Sequence, residues 1–225
     1  MNFIYLSGII SLCIQLITGI IGLYSIKLPI PPSYYLINEL VIFEIIVQVI
    51  EAIFYIWMIS QFSTIKNITP FRYYDWALTT PTMLTTFIFY LMFLRDKENG
   101  IVSKPFMSEL KENWQFIVKV AILDWLMLLS GYLGEQRIFS FVSTTIVGFI
   151  PFFLMFYLIY VNFASYSKTG RTIFWYFSIV WAIYGVAAVL PYHIKNTMYN
   201  ILDVFSKNFF GLFLSYVLYK ASNTF

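Results

Sequence analysis

The chain has 225 residues, of which 60% are apolar and only 11% are charged. A soluble protein could not cover that much hydrophobic side chain with a polar surface, so the composition excludes an ordinary soluble fold and predicts a protein of the lipid bilayer. The formal charge of +3 is small and scattered, which excludes the dense basic surface that nucleic acids require.

The cysteine and histidine content argues against two kinds of structural feature, a disulfide and a metal site. The chain has one cysteine, Cys13, and one histidine, His193, so we expect neither an intramolecular disulfide nor a metal site. The N-terminal apolar run has no basic flank and no small-residue cleavage site. We therefore expect it to be a retained first helix and not a signal peptide.

Hydrophobic runs and the residues that interrupt them predict seven membrane-spanning helices, which we number α1 to α7 in chain order. A span needs about 20 residues, so seven spans with short connections use almost the whole chain. Pro31 and Pro32 mark the first turn, and the polar stretch 193–196 marks the last. The predicted ranges are 3–25, 34–60, 69–94, 114–133, 137–163, 172–192 and 198–221. The predicted fold class is an all-α, multi-pass membrane bundle that forms a single domain over residues 1–225.

The distribution of basic residues predicts the orientation of the bundle. Basic side chains stay on the cytoplasmic side of a membrane protein. The α1–α2, α3–α4 and α5–α6 connections and the C-terminus carry most of them, and the charged connection 95–113 is the longest predicted. We therefore expect the N-terminus outside and the C-terminus in the cytoplasm, in the cell membrane or in an internal membrane of the host cell.

Ionisable residues inside the predicted spans mark the functional region. Each costs roughly 2.5 to 3.5 kcal/mol at the bilayer centre unless it is paired or faces water, so such residues point to function by default. Glu39 and Lys119 lie near predicted helix ends, where we expect them only to reach the interface. The others are Glu44, Glu51, Asp75, Asp124, Asp203 and Lys207.

Two charged stripes are predicted to meet inside the bundle. Asp203 and Lys207 are spaced i, i+4 and so lie on one face of α7. A second stripe follows one face of α3 and consists of Arg72, Asp75, Thr79 and Thr86. Two cations and two carboxylates can therefore cancel in the interior. A charge network that only fixes the helix register is the alternative.

Two motifs in these stripes resemble the microbial rhodopsin family. The α3 stretch 72–81, RYYDWALTTP, is similar to the family's RYxDWxxTTP signature. The α7 stretch 202–207, LDVFSK, followed by FGL at 210–212, is similar to its LDxxxK segment. The resemblance extends over the whole chain in helix number and order. It also includes, at the family's spacings, Asp124, Met127, Gly131, Trp181 and Tyr184.

The resemblance implies that all-trans retinal is bound covalently to Lys207 as a Schiff base, since a lysine amine in an apolar pocket suits that chemistry. Asp75 and Asp203 are then its counterions, Asp75 takes the proton after light isomerises the retinal, and Arg72 balances the surplus negative charge. Thr79 is assigned to the same site, and no enzymatic reaction is expected. The residues expected to line the retinal pocket are Trp76, Thr80, Met83, Asp124, Met127, Gly131, Trp181, Tyr184 and Ser206.

The family includes ion pumps, light-gated channels and sensory receptors, so departures from its pattern must decide the function. Thr86 stands where outward proton pumps normally hold the carboxylic acid that reprotonates the Schiff base. Lys195 stands where pumps often carry a glutamate of a proton-release group. Both replacements weaken a pump interpretation. The missing donor also resembles the rhodopsins of giant algal viruses, one group of which is regarded as cation channels.

Helix α2 favours a channel. Glu44 and Glu51 lie two turns apart on one face, and Tyr55 continues the stripe. Acidic side chains along a pathway attract cations and replace part of their hydration shell. A glutamate protonated and hydrogen-bonded across helices is the simpler alternative for α2. The favoured interpretation is a light-gated cation channel with a pathway that comprises Ser11, Gln15, Glu44, Gln48, Glu51, Thr86, Asn200 and Asn208.

Three other functions stay open. They are a light-driven outward proton pump, a sensory photoreceptor that acts with a separate partner, and a seven-helix carrier without a chromophore. The expected partners are the lipid bilayer and the transported cations or protons. Self-assembly is left open, because lipid-facing and partner-facing apolar surfaces look alike in sequence.

Overall fold

The computed structural model of the protein describes residues 3–224. In this part of the chain seven helices are long and apolar enough to cross a membrane, and no residue forms a strand. Short 3₁₀ turns at Pro32–Tyr34 and Ala164–Tyr166 precede α2 and α6. The helices α1 to α7 span Phe3–Ser25, Tyr35–Ser60, Thr69–Glu98, Phe106–Glu135, Phe141–Asn162, Lys168–Ala188 and Tyr192–Ser222. The predicted seven-helix bundle is confirmed, whereas the orientation of its termini stays a prediction.

The connection between α3 and α4 is much shorter than predicted. Sequence reasoning places a charged loop at 95–113, but α3 continues to Glu98 and α4 begins at Phe106. The carboxylate of Glu39 in α2 accepts a hydrogen bond of 2.7 Å from the Phe106 amide, which is one of the free N–H groups at the start of α4. Glu39 therefore caps a helix instead of only reaching the interface. Lys119 is exposed but lies well inside α4 and not near its end.

The end of α4 explains why α5 begins later than predicted. Arg137, the predicted first residue of α5, has a φ of 57° in the left-handed region. The amides of Arg137 and Ile138 bond back to the carbonyls of Gly134 and Leu133. This Schellman arrangement closes the C-terminus of a helix, so Arg137 ends α4 and α5 starts only at Phe141.

The polar stretch 193–196, predicted to be a turn between α6 and α7, lies in the first turns of α7. That helix begins at Tyr192. Lys195 and Asn196 are polar because they have partners inside the bundle, and not because they lie in a loop. Lys195 forms an ion pair of 2.6 Å with Glu135 of α4, and Asn196 is fully buried.

Helix α3 lies at the centre of the bundle, whereas α4 lies at its lipid-facing edge. Most residues of α3 are buried, including every residue from Thr86 to Leu94. Helix α4 exposes large apolar side chains such as Trp114, Trp125 and Leu129. Exposed apolar surface of this kind is costly in water but suits a protein surrounded by lipid.

Helix α7 changes its winding at Lys207. Its α-helical segments, Tyr192–Asp203 and Phe209–Ser222, are joined by a π-helical turn over Val204–Asn208 that contains the lysine. Single π-helical turns insert one extra residue and occur frequently at functional sites. No sequence pattern predicts this turn.

Candidate functional site

Lys207 lies in the interior of the bundle within reach of three carboxylates. Its side chain is 2% exposed, and Nζ donates a hydrogen bond of 2.8 Å to Asp75 Oδ2. Nζ also lies 3.3 Å from Glu51 Oε1 and 3.8 Å from Asp203 Oδ1. The carboxylates belong to α3, α2 and α7, so the lysine nitrogen links three helices electrostatically.

The position of Glu51 corrects the predicted charge balance. The sequence predicts that two cations and two carboxylates cancel, but the structure brings three carboxylates to the two cations Lys207 and Arg72. Sequence reasoning assigns Glu51 to an ion pathway, because its register on α2 is visible but the rotation of α2 toward α7 is not.

A dense hydrogen-bond network surrounds Arg72, which is fully buried. Arg72 Nε donates to Asn196 Oδ1 at 3.0 Å, and Nη2 donates to Asn200 Oδ1. Arg72 Nη1 lies 3.6 Å from Asp203 Oδ2. Asn200 donates to Ser7 Oγ at 2.9 Å and so ties the network to α1. Asn200, predicted to line an ion pathway, therefore lies in the Arg72 network.

The two aspartates predicted as counterions have different surroundings. Asp203 accepts hydrogen bonds from Tyr55 at 2.6 Å and from Tyr184 at 2.8 Å. Among residues 3–224, Asp75 accepts a side-chain hydrogen bond only from Lys207, through Oδ2, and its Oδ1 has no partner. Asp75 therefore has an oxygen that can take a proton, whereas both oxygens of Asp203 are engaged.

Lys207 lines an apolar cavity that is walled by residues of α3 to α7. Asp124, which sequence reasoning includes among its lining residues, does not line it. Asp124 is fully buried behind the wall, with Oδ2 2.6 Å from the Thr80 hydroxyl, because its position on α4 faces α3. The predicted pocket residues that do line the cavity are Trp76, Thr80, Met83, Met127, Gly131, Trp181, Tyr184 and Ser206.

Helix α5 forms a wall of this cavity that sequence reasoning missed. Its residues there carry no charge and belong to no motif, so their pattern is that of any apolar span. They are Thr144, Thr145, Gly148, Phe149 and Phe152. The other lining residues that were not predicted are Tyr73, Leu128, Gly185, Ala188 and Tyr199.

Glycines let the cavity walls approach each other closely. A Cβ atom on Gly185 would strike the ring of Phe149, and one on Gly131 would strike the hydroxyl of Tyr73. Both glycines line the cavity, so a side chain at either position would force a wall to move. An apolar space lined by aromatic rings and by Lys207 fits a long apolar aldehyde.

A second set of buried polar residues lies on the far side of Lys207 from Arg72. Glu44 accepts a hydrogen bond from the Thr86 hydroxyl, whereas the Thr79 hydroxyl donates to the main-chain carbonyl of Asp75 at 3.0 Å. Within the described chain, neither polar atom of the Gln48 side chain has a hydrogen-bond partner. The predicted pathway residues in this set are Ser11, Gln15, Glu44, Gln48, Thr86 and Asn208, all of them buried. Ser11 and Gln15 are joined to each other by a hydrogen bond of 3.3 Å.

Lys195, predicted to stand in place of a proton-release glutamate, is paired with a carboxylate from another helix. It forms an ion pair of 2.6 Å with Glu135 and lies 4.5 Å from the centre of the Phe141 ring. Glu135 was missed because it lies beyond the predicted end of α4. The pair joins the end of α4 to the start of α7.

These features define a class of protein: a multi-pass membrane protein with an apolar cavity lined by a buried lysine that has carboxylates around it. A family model described as "Bacteriorhodopsin-like protein" matches residues 5–221, so the chain belongs to the microbial rhodopsin family. The predicted family is thereby confirmed. Members of this family are membrane photoreceptors and transporters that bind retinal through a lysine.

Known relatives agree with this assignment. The chain is 26% identical over 175 residues to "Green-light absorbing proteorhodopsin" of Gamma-proteobacterium EBAC31A08, a match that covers 69% of this chain and 63% of that protein. The match therefore spans less than two thirds of that relative's length. The fold is similar to viral rhodopsin OLPVRII, with a TM-score of 0.79 and 26% identity over 96% of this chain and 98% of that one. It is also similar to thermophilic rhodopsin from Rubrobacter xylanophilus, with a TM-score of 0.76 and 18% identity over 97% of each chain.

Proposed function

We propose that the protein binds all-trans retinal covalently through Lys207 and responds to light. The observation that carries this proposal is the buried Lys207 that lines the apolar cavity, with carboxylates close enough to hold a positive charge beside its amine. When bound, retinal supplies a light-absorbing polyene and a cationic Schiff-base nitrogen. Trp76 and Trp181 line the cavity and would contact the polyene.

Asp75 is the residue best placed to receive a proton after illumination. Its Oδ2 contacts Lys207 Nζ at 2.8 Å, and its Oδ1 is not engaged by any described residue. Asp203 already accepts from Tyr55 and Tyr184, so it serves as a fixed negative charge. Proton uptake by Asp75 would lower the negative charge around Lys207 and loosen the link between α3 and α7.

We further propose that this loosening opens a cation pathway on the Glu44 side of Lys207. Several buried polar atoms there have no hydrogen-bond partner within residues 3–224, and unsatisfied polar groups are costly in a lipid-embedded bundle. Water or a cation would satisfy them, and oxygen atoms along a pathway replace part of a cation's hydration shell. The buried polar atoms without a partner belong to Gln15, Glu44, Gln48, Glu51 and Asn208.

Glu44 and Thr86 would hold this pathway closed in the dark. The Thr86 hydroxyl has one proton but contacts both Glu44 Oε1 and the main-chain carbonyl of Met83. Both contacts are satisfied when Glu44 carries a proton and donates to Thr86, which then donates to Met83. Loss of that proton would place a carboxylate on the pathway and attract cations.

The same pair supports an outward proton pump as the second candidate. A protonated Glu44 against Thr86 would supply from α2 the proton donor that α3 lacks at position 86. In that case the proton would move from Glu44 toward the Lys207 nitrogen instead of leaving the pathway open to cations.

Voltage-clamped cells separate the two candidates. A channel gives photocurrents that reverse near the equilibrium potential of the permeant cation, and the reversal potential moves when the cation gradient changes. A pump gives current of one direction at every voltage, and that result would overturn the channel proposal. Lys207→Ala is the control and should abolish the light-evoked current in either case.

A further inference from the structure

Pro81 leaves one main-chain carbonyl of α3 without its normal donor. In an α-helix the carbonyl of Ala77 accepts from the amide of residue 81, and proline has no N–H. The proline ring also pushes that carbonyl away from the helix axis. Ala77 directly follows Trp76, which lines the cavity, and lies two residues after Asp75.

The carbonyls on either side of Ala77 each receive an additional donor from a threonine four residues later. The pairs are Thr79 to Asp75 at 3.0 Å, Thr80 to Trp76 at 2.8 Å and Thr82 to Leu78 at 2.9 Å. Ala77 is the exception in this run of four carbonyls, because the residue at the same spacing is Pro81, which has neither an amide proton nor a hydroxyl.

Trp125 of α4 supplies the missing donor. Its Nε1 donates to the Ala77 carbonyl at 2.9 Å, although the residue is 49% exposed on the lipid-facing side. Lipid offers no donor of its own, so the carbonyl would otherwise stay unsatisfied. The preceding residue, Asp124, contacts Thr80 at 2.6 Å. Two consecutive residues of α4 thus hold the turn of α3 that precedes Pro81.

We propose that Trp125 is a positioning residue for the retinal site. By satisfying the Ala77 carbonyl it fixes the turn of α3 that precedes Pro81, and with it the 2.8 Å separation of Asp75 from Lys207. This inference rests on the retinal-binding function proposed above. The electrostatic effect of a counterion depends on its distance, so a looser α3 changes the absorption of the bound chromophore.

The test compares Trp125→Phe with Trp114→Phe after reconstitution with all-trans retinal. Phenylalanine keeps an aromatic ring and removes the N–H donor, and the loss of ring size is the same in both variants. Trp114 lies on the same helix, is 54% exposed and makes no hydrogen bond from its indole within residues 3–224, so it is a matched control. We expect a red shift in Trp125→Phe that is smaller than that of Asp75→Asn, and no shift in Trp114→Phe. Equal spectra for the two variants would overturn the inference.

Pro81→Ala tests the physical cause. Alanine restores an amide that can donate to the Ala77 carbonyl, so Trp125→Phe should cause no further shift in that background. A shift of full size in the double variant would mean that Trp125 acts through packing, and would overturn the inference. Should Trp125→Phe alone fail to fold, recovery of folding in the double variant supports the inference and continued failure overturns it.

The wild-type protein distinguishes this inference from the function on which it rests. A wild type that stays colourless with retinal would overturn the retinal-binding proposal and this inference with it. A coloured wild type with an unshifted Trp125→Phe would overturn the role of Trp125 alone.

Discussion

The two halves of the bundle interior on either side of Lys207 are built differently. The Arg72 half consists of Tyr55, Arg72, Asn196, Asn200 and Asp203, which are linked to one another by hydrogen bonds and an ion pair. The Glu44 half consists of Gln15, Glu44, Gln48, Thr86 and Asn208. Within residues 3–224, all of these except Thr86 have a buried polar atom without a hydrogen-bond partner. In the Arg72 half only Arg72 Nη1 lacks one, and it lies 3.6 Å from Asp203.

This difference separates a scaffold from the part of the interior that can rearrange. Any movement in the Arg72 half breaks charge-assisted hydrogen bonds, whereas the Glu44 half gains partners when water enters it. Aromatic rings pack next to the Glu44 half, because Phe87 directly follows Thr86 in α3. Phe87 and Phe177 stack at 4.2 Å between α3 and α6, a contact that can separate without breaking a hydrogen bond. We therefore expect light to change the Glu44 half while the Arg72 half keeps its geometry.

Removing Arg72 should have the largest effect on stability. Arg72→Ala leaves three carboxylates with Lys207 as the only nearby cation, and breaking a buried ion network in this way costs about 3–5 kcal/mol. The temperature at which purified protein loses its colour measures the change. A variant as stable as the wild type would contradict the view that this half is the scaffold.

Asp75→Asn should cause the largest change in absorption. The substitution removes the carboxylate that contacts Lys207 Nζ and so destabilises the positive charge in the dark state, which shifts the band to the red. Asp124→Asn is the matched control, because Asp124 lies behind the cavity wall and contacts Thr80. Equal shifts in the two variants would contradict the assignment of Asp75.

Glu51 and Glu44 should respond differently to the same substitution. Glu51→Gln removes a charge 3.3 Å from Lys207 Nζ, so both the absorption band and the photocurrent should change. Glu44→Gln acts in the Glu44 half, so the photocurrent should change while the band stays in place. A shifted band in Glu44→Gln would show that the two halves are not separate.

Gln48→Leu should have the smallest effect on stability. Both polar atoms of Gln48 lack partners within the described residues, and replacing an unsatisfied buried polar group by an apolar one of similar size is nearly neutral. Asn200→Leu, by contrast, removes the side-chain oxygen that accepts from Arg72 Nη2 and should cost about 1–3 kcal/mol. Thermal unfolding of the two variants checks the contrast, and equal losses would refute it.

The sequence predicts the charged residues of the two motifs better than the residues that pack around them. Arg72, Asp75, Asp203 and Lys207 lie in motifs and at helical spacings that fix which residues share a face. The place of Glu51 beside Lys207 depends on the rotation of α2 against α7, which no pattern within one helix encodes. The sequence shows that Pro81 leaves the Ala77 carbonyl without an amide donor, but Trp125, which replaces that donor, is a lipid-facing residue of another helix.

Some helix ends and cavity walls were also missed because they depend on contacts with residues of other helices. The polar residues 193–196 suggest a loop because their partners are distant in sequence: Lys195 binds Glu135, and Asn196 binds Arg72. The α5 wall of the cavity could not be predicted, because the sequence of an apolar span does not show which of its sides faces lipid and which faces the other helices.

The central claim is that the Lys207 amine binds retinal among carboxylates that hold its positive charge. The most direct measurement is the visible absorption spectrum of purified protein after addition of all-trans retinal. A band in the wild type that is lost in Lys207→Ala but kept in Lys195→Ala, where the other buried lysine is removed, is the predicted result. A colourless wild type, or a band that survives in Lys207→Ala, would contradict the account.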